Sequence, residues 1–293
     1  MDLSKYDYFY VNGCSHVEGG GLEEQSVNNN SVVQHYEEKY GVTWDNRNQV
    51  NFGTRLSQII GIPCVNGARS GSGTDRVVRT TYDFLYQNWD DRDKFFIILE
   101  NPDPTRSDVY LRDMNDYFIV NAYYKSETNE HYFGESTREY YNNEYKKIDY
   151  LYRDKMKSWF ENHYDFEQKM VQDDKAFVGL YSFCKMNGIK VFVMSKTNFH
   201  FMSCFEKDDV INFNEKYYYN KSYDINSWCR ERKHTIQHEI PNNSSDGHPG
   251  YFGHIFYAQK LARFLGWTGD IKIDGIEVGD IEIDNLKTKK NLL

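Results

Sequence analysis

A serine, an aspartate and a histidine in this chain have types and surroundings that suit acyl transfer. Ser15 follows a short apolar run within Val11-Asn12-Gly13-Cys14-Ser15-His16, and Asp246-Gly247-His248-Pro249 lies far downstream, just ahead of a helical pattern. A serine hydroxyl attacks an acyl carbon only when an imidazole removes its proton and nearby donors hold the oxyanion. One serine therefore says nothing. Serine together with an Asp/His pair says more, and the chain order Ser, Asp, His is one that α/β hydrolytic folds use.

Two further stretches supply candidate donors: Asn66-Gly67-Ala68-Arg69-Ser70-Gly71-Ser72, and Leu99-Glu100-Asn101-Pro102 after an apolar strand. With the first and last blocks they make a pattern that resembles the SGNH (GDSL-like) hydrolase superfamily, in its phage and bacterial Gly-Cys-Ser subgroup. The resemblance implies that Ser15 is the nucleophile and its N–H an oxyanion donor, with the Gly71 N–H and the Asn101 side chain as the others. It implies that His248 is the general base and Asp246 its orienter, and that neither metal nor organic cofactor takes part. Cys14 stands where the superfamily's name-motif has Asp, Pro102 follows Asn101, and Asp246 and His248 are two apart where three is usual. The implied activity is carboxylic ester hydrolysis, with acetyl groups on a glycan as the expected substrate class. The rival expectation is a non-catalytic binding or structural protein, such as a phage virion component, on the same fold.

These residues need a frame, and apolar runs alternate with helical patterns as a parallel α/β sheet requires. Strands are expected at 6–11, 62–65, 95–99 and 189–194, and helices near 31–40, at 52–60, 166–186 and 249–265. Val77, Val78, Thr81, Phe84 and Leu85 mark one face of another helix, with Thr74 as its N-cap. That helix would start beside Gly71, so its N-terminal dipole would face the oxyanion site. The expected architecture is a three-layer α/β/α sandwich of flavodoxin-like type with a parallel sheet of about five strands. Residues 1–267 would form the hydrolase domain, with a polar, Tyr-rich insertion at about 107–174 that is helical near 139–163.

Isoleucines and valine alternate with charges at Ile271, Ile273, Ile276, Val278, Ile281 and Ile283, broken by Asp274-Gly275 and Gly279-Asp280. That pattern predicts a hairpin over 268–284 in a tail at 268–293. A lone ribbon is marginal, so it packs in cis or docks on another subunit or a virion.

Composition narrows the partners. A net charge of −9 over 293 residues argues against a nucleic-acid backbone. No run approaches a membrane span, and the start has no signal-peptide pattern, so a soluble, non-exported or virion-associated protein is expected. Five cysteines without tight spacing suit a reducing compartment. Cys64 and Cys184 read as buried thiols, and Cys14 as a bystander, because Ser15 holds the motif position. His234 and His238, four apart, read as surface or packing residues, since no third ligand is evident. Tyr217, Tyr218, Tyr219, Tyr223 and Trp228 read either as packing or as a lid that stacks on sugar rings.

Overall fold

The computed structural model describes residues 1–20, 32–102, 104–112, 116–121, 162–194, 202–211, 235–240 and 247–271, with single positions between and beyond them. Along the chain run β1 (Tyr8–Asn12), α1 (Ser15–Glu18), α2 (Val32–Tyr40), α3 (Phe52–Ile60), β2 (Cys64–Asn66), α4 (Thr74–Gln87) and β3 (Phe95–Glu100). Then come β4 (Arg106–Leu111), β5 (Asp116–Asn121), α5 (Phe166–Met186), β6 (Lys190–Met194), α6 (Ile236–Glu239) and α7 (Tyr251–Phe264). The helices end where local chemistry stops them. Asn51 caps α3 by accepting the Thr54 N–H at 3.0 Å, and Gly61 closes it in the left-handed region at φ 71°. Asp165 does the same at the start of α5 through Gln168.

Four strands form a parallel sheet in the order β2-β1-β3-β6. The expected count was about five. Beyond β6, Val193 makes a single parallel bridge to Val210, and the Ile211 N–H donates to the Val193 carbonyl at 2.9 Å. Among the described residues a fifth strand goes no further than this one bridge.

Each strand shares its side chains between two cores, because successive residues face opposite sides. Phe9, Val11, Phe96, Ile98, Phe192 and Met194 pack with residues of α3 and α7. Tyr10, Phe95, Ile97, Leu99, Val191 and Val193 pack with α4 and α5. A helix pair thus covers each face. Every residue of β3 is buried, which explains why its sequence runs apolar without alternation up to Glu100.

Two expectations are corrected. Gly73, not Thr74, precedes the first turn of α4, and the Thr74 hydroxyl donates instead to Asn101 Oδ1 at 2.7 Å. The stretch after Ser107 opens with the antiparallel hairpin β4–β5, which sequence reading missed. It is fastened to α4 by the Arg79 guanidinium, which pairs with Asp108 at 2.5 Å and lies 3.9 Å from the centre of the Tyr117 ring. Of the helix expected near 139–163 only Ser158 and residues 162–163 at its end are described, Ser158 and Asn162 being helical; the Tyr217–Trp228 aromatics and His234 fall outside the described residues, and so do the side chain of His238 and the tail after Ile273. No described helix is long and apolar enough to cross a membrane.

Candidate active site

β1 ends in a polar residue that anchors the next turn. The Asn12 side chain donates to the Val77 carbonyl and to the hydroxyls of Thr80 and Thr81, and its oxygen accepts the Gly13 N–H at 2.9 Å. Gly13 is required here. A Cβ on it would lie 2.5 Å from Val17 and 2.7 Å from a Glu100 carboxylate oxygen. The chain then enters α1 with Ser15 in its first turn, where N–H groups have no intrahelical partner.

The other half arrives from far along the sequence. His248 Nε2 lies 3.0 Å from Ser15 Oγ, across a separation of 233 residues. Its loop is held by the Ile236 N–H, which donates to the His248 carbonyl at 2.9 Å, and by a bridge between Thr235 and Pro249. α7 begins just beyond, and its N-terminus is capped from outside. The buried Glu239 carboxylate accepts the N–H groups of Phe252 at 3.2 Å and Gly253 at 3.1 Å, and the Tyr36 hydroxyl donates to it as well. Burial pushes Glu239 up to about 8, against these three donors.

The loop carrying Gly71 is tied to α1 by Glu18. One Glu18 oxygen accepts the Ser70 N–H at 2.5 Å and the Ser70 hydroxyl at 2.6 Å, and the other accepts Arg47 at 2.7 Å. Gly71 itself sits at φ 83°, a turn conformation that suits glycine. Asn101 follows β3 and is buried. One hydrogen of its amide goes to Asp174 Oδ1 at 3.2 Å while its oxygen accepts from Thr74. Asp246 lies outside the described residues.

Three residues at the site escaped sequence reading. The His16 ring lies 5.4 Å from that of His248, its Nδ1 is 3.5 Å from Glu100 Oε1 and 3.5 Å from Cys14 Sγ, and Glu100 Oε2 accepts the Cys14 N–H at 2.9 Å. Burial disfavours the charged imidazole, but Cys14 and Glu100 outweigh it and raise His16 to about 9. Cys14 is therefore not a bystander, as it has an imidazole partner. It is also fully buried, which keeps it from a substrate. His254 is the third. Burial, with the neighbouring His16, Arg55 and His248, drives it down to about 3, and its Nδ1 accepts the Phe52 N–H at 3.0 Å. A charged residue ending an apolar strand was a readable signal for Glu100; nothing in the sequence marked His254.

Comparison with family models, with curated proteins and with solved structures finds no match.

Proposed function

We propose that the protein is an SGNH-type serine ester hydrolase. The observation that carries this reading is the 3.0 Å contact between Ser15 Oγ, in the first turn of α1, and His248 Nε2, in the loop ahead of α7. That is the distance at which an imidazole can take a hydroxyl proton. Ser15 attacks the ester carbonyl, His248 receives its proton and later delivers it to the leaving alkoxide, and water repeats the cycle on the acyl-enzyme. The oxyanion is held by the Ser15 N–H in the first turn of α1, by the Gly71 N–H from the loop that Glu18 ties to that helix, and by the Asn101 side chain. Asp246 orients His248. The flavodoxin-like sandwich of the superfamily accommodates the observed sheet order and the helix pair on each face. An acetylated glycan is the substrate class this reading favours.

The test is a fluorophosphonate label followed by peptide mapping. The label should land on Ser15, and Ser15→Ala should abolish both labelling and turnover of an aryl acetate. Labelling elsewhere, or turnover retained by the purified Ser15→Ala protein, would leave the fold as a non-catalytic scaffold.

A further inference from the structure

We propose that Cys14, His16 and Glu100 form a binding site for a zinc-like divalent cation beside the Ser15–His248 pair. Their ligand atoms all lie within 4.8 Å of one another. Two of the three separations are known more closely: Cys14 Sγ to His16 Nδ1 and His16 Nδ1 to Glu100 Oε1 are each 3.5 Å. Tetrahedral zinc, with bonds of about 2.3 Å to sulfur and about 2.0–2.2 Å to nitrogen and oxygen, separates its donors by about 3.3–3.6 Å. The two pairs therefore already stand at the spacing the ion demands.

Hydrogen bonding alone explains one such contact, yet the arrangement has further features of a metal site. The three donors come from the α1 cap, the α1 first turn and the end of β3, so two separately anchored elements converge on one point. The Glu100 carboxylate is oriented by the Cys14 N–H on Oε2, which turns Oε1 toward His16. Outer hydrogen bonds of this kind commonly fix metal-bound carboxylates. Cys14 and Glu100 are buried, while the His16 side chain keeps 11% of its surface exposed. A thiolate, an imidazole and a single carboxylate select a borderline-soft ion, because calcium and magnesium require a shell of oxygens. Thiolate and carboxylate together also balance a double positive charge, which a buried site needs.

Cobalt(II) is the probe, because a tetrahedral cobalt thiolate absorbs in the near ultraviolet and the visible. Full-length protein, stripped with a chelator and kept reduced without thiols, should take up about one equivalent, and zinc should displace it. The near-ultraviolet band should vanish in Cys14→Ser, weaken in Glu100→Gln and persist in Cys204→Ser, which removes an exposed thiol. Absence of a saturable band, or a band that survives Cys14→Ser, would show that the three side chains only bond to one another. If Cys14→Ser fails to fold, zinc-edge X-ray absorption of the wild type decides: one sulfur with nitrogen and oxygen neighbours supports the site, and any other sulfur count overturns it.

Discussion

Gly20 packs against both halves of the proposed dyad. A Cβ there would lie 2.8 Å from Ser15 Cβ and 3.3 Å from His248 Cδ2, while the Gly20 N–H donates to the Ser15 carbonyl at 2.7 Å. Its φ is not in the left-handed region, so a side chain meets a steric obstacle and no backbone strain. Gly20→Ala should therefore push Ser15 and His248 apart and slow fluorophosphonate labelling by about tenfold or more, since small displacements of reacting groups cost that much. A labelling rate equal to wild type would show that the pair tolerates crowding. Asp246 is a second case at this scale. If its carboxylate holds the His248 tautomer, Asp246→Asn should lower kcat by about 10²–10⁴-fold, whereas near-normal kcat on an aryl acetate would assign that role to another group. Ser15 and His248 were legible as a candidate pair because a motif advertises chemistry, and they lie 3.0 Å apart, while Asp246 falls outside the described residues. The charge that ends the apolar run of β3 could single out Glu100, but its contact with His16 across β1–α1 could not be read, because no local pattern reports it.

Glu239 shows how an element distant in sequence from Ser15 helps to position His248. α7 starts with Gly250, which offers no side-chain cap, and the Glu239 carboxylate supplies the missing acceptors for Phe252 and Gly253. Such caps stabilise a helix by about 1 kcal/mol, and His248 stands just ahead of this one. The carboxyl keeps its proton up to about 8 in the fold but loses it near about 4.3 when unfolded. Between those values the unfolded chain binds fewer protons, so stability falls as pH rises, at a slope approaching 1.4 kcal/mol per pH unit. Glu239→Gln removes the titration. Urea melts at several pH values should show wild type losing stability relative to the variant from about pH 5 to pH 8, and parallel curves would mean that Glu239 is ionised throughout. The helices α3 and α5 were readable to the residue, since each carries its own cap. α6 and the hairpin β4–β5 were not. Four residues are too few for a periodic signal, and the hairpin is anchored by Arg79 and Asp75 on another element.

At the scale of the whole molecule, the described frame is a four-stranded parallel sheet with a helix pair on each face, and the tail begins as part of it. Ile273 is buried in the core that α3 and α7 share, and Ile271 packs against that core. The buried Gln259 side chain donates to the Ile271 carbonyl at 2.9 Å, and Arg263 donates to the carbonyls of Trp267 and Gly269. The alternating isoleucines thus start by packing in cis, which leaves residues 274–293 as the part on which the expected attachment role is to be tested. Two truncations separate these functions. Ending the chain after Trp267 strips a buried isoleucine worth about 1.5–3 kcal/mol and removes the acceptor of a buried amide, for about 1–3 kcal/mol more. The melting temperature should drop by about 5–15 °C. Ending it after Ile273 keeps those contacts, so the melt and the reactivity of Ser15 should match the full chain while light scattering reports a smaller assembly. An unchanged mass would remove the attachment role from 274–293, and an unchanged melt after the shorter cut would show that the packing of Ile271 and Ile273 contributes nothing to stability.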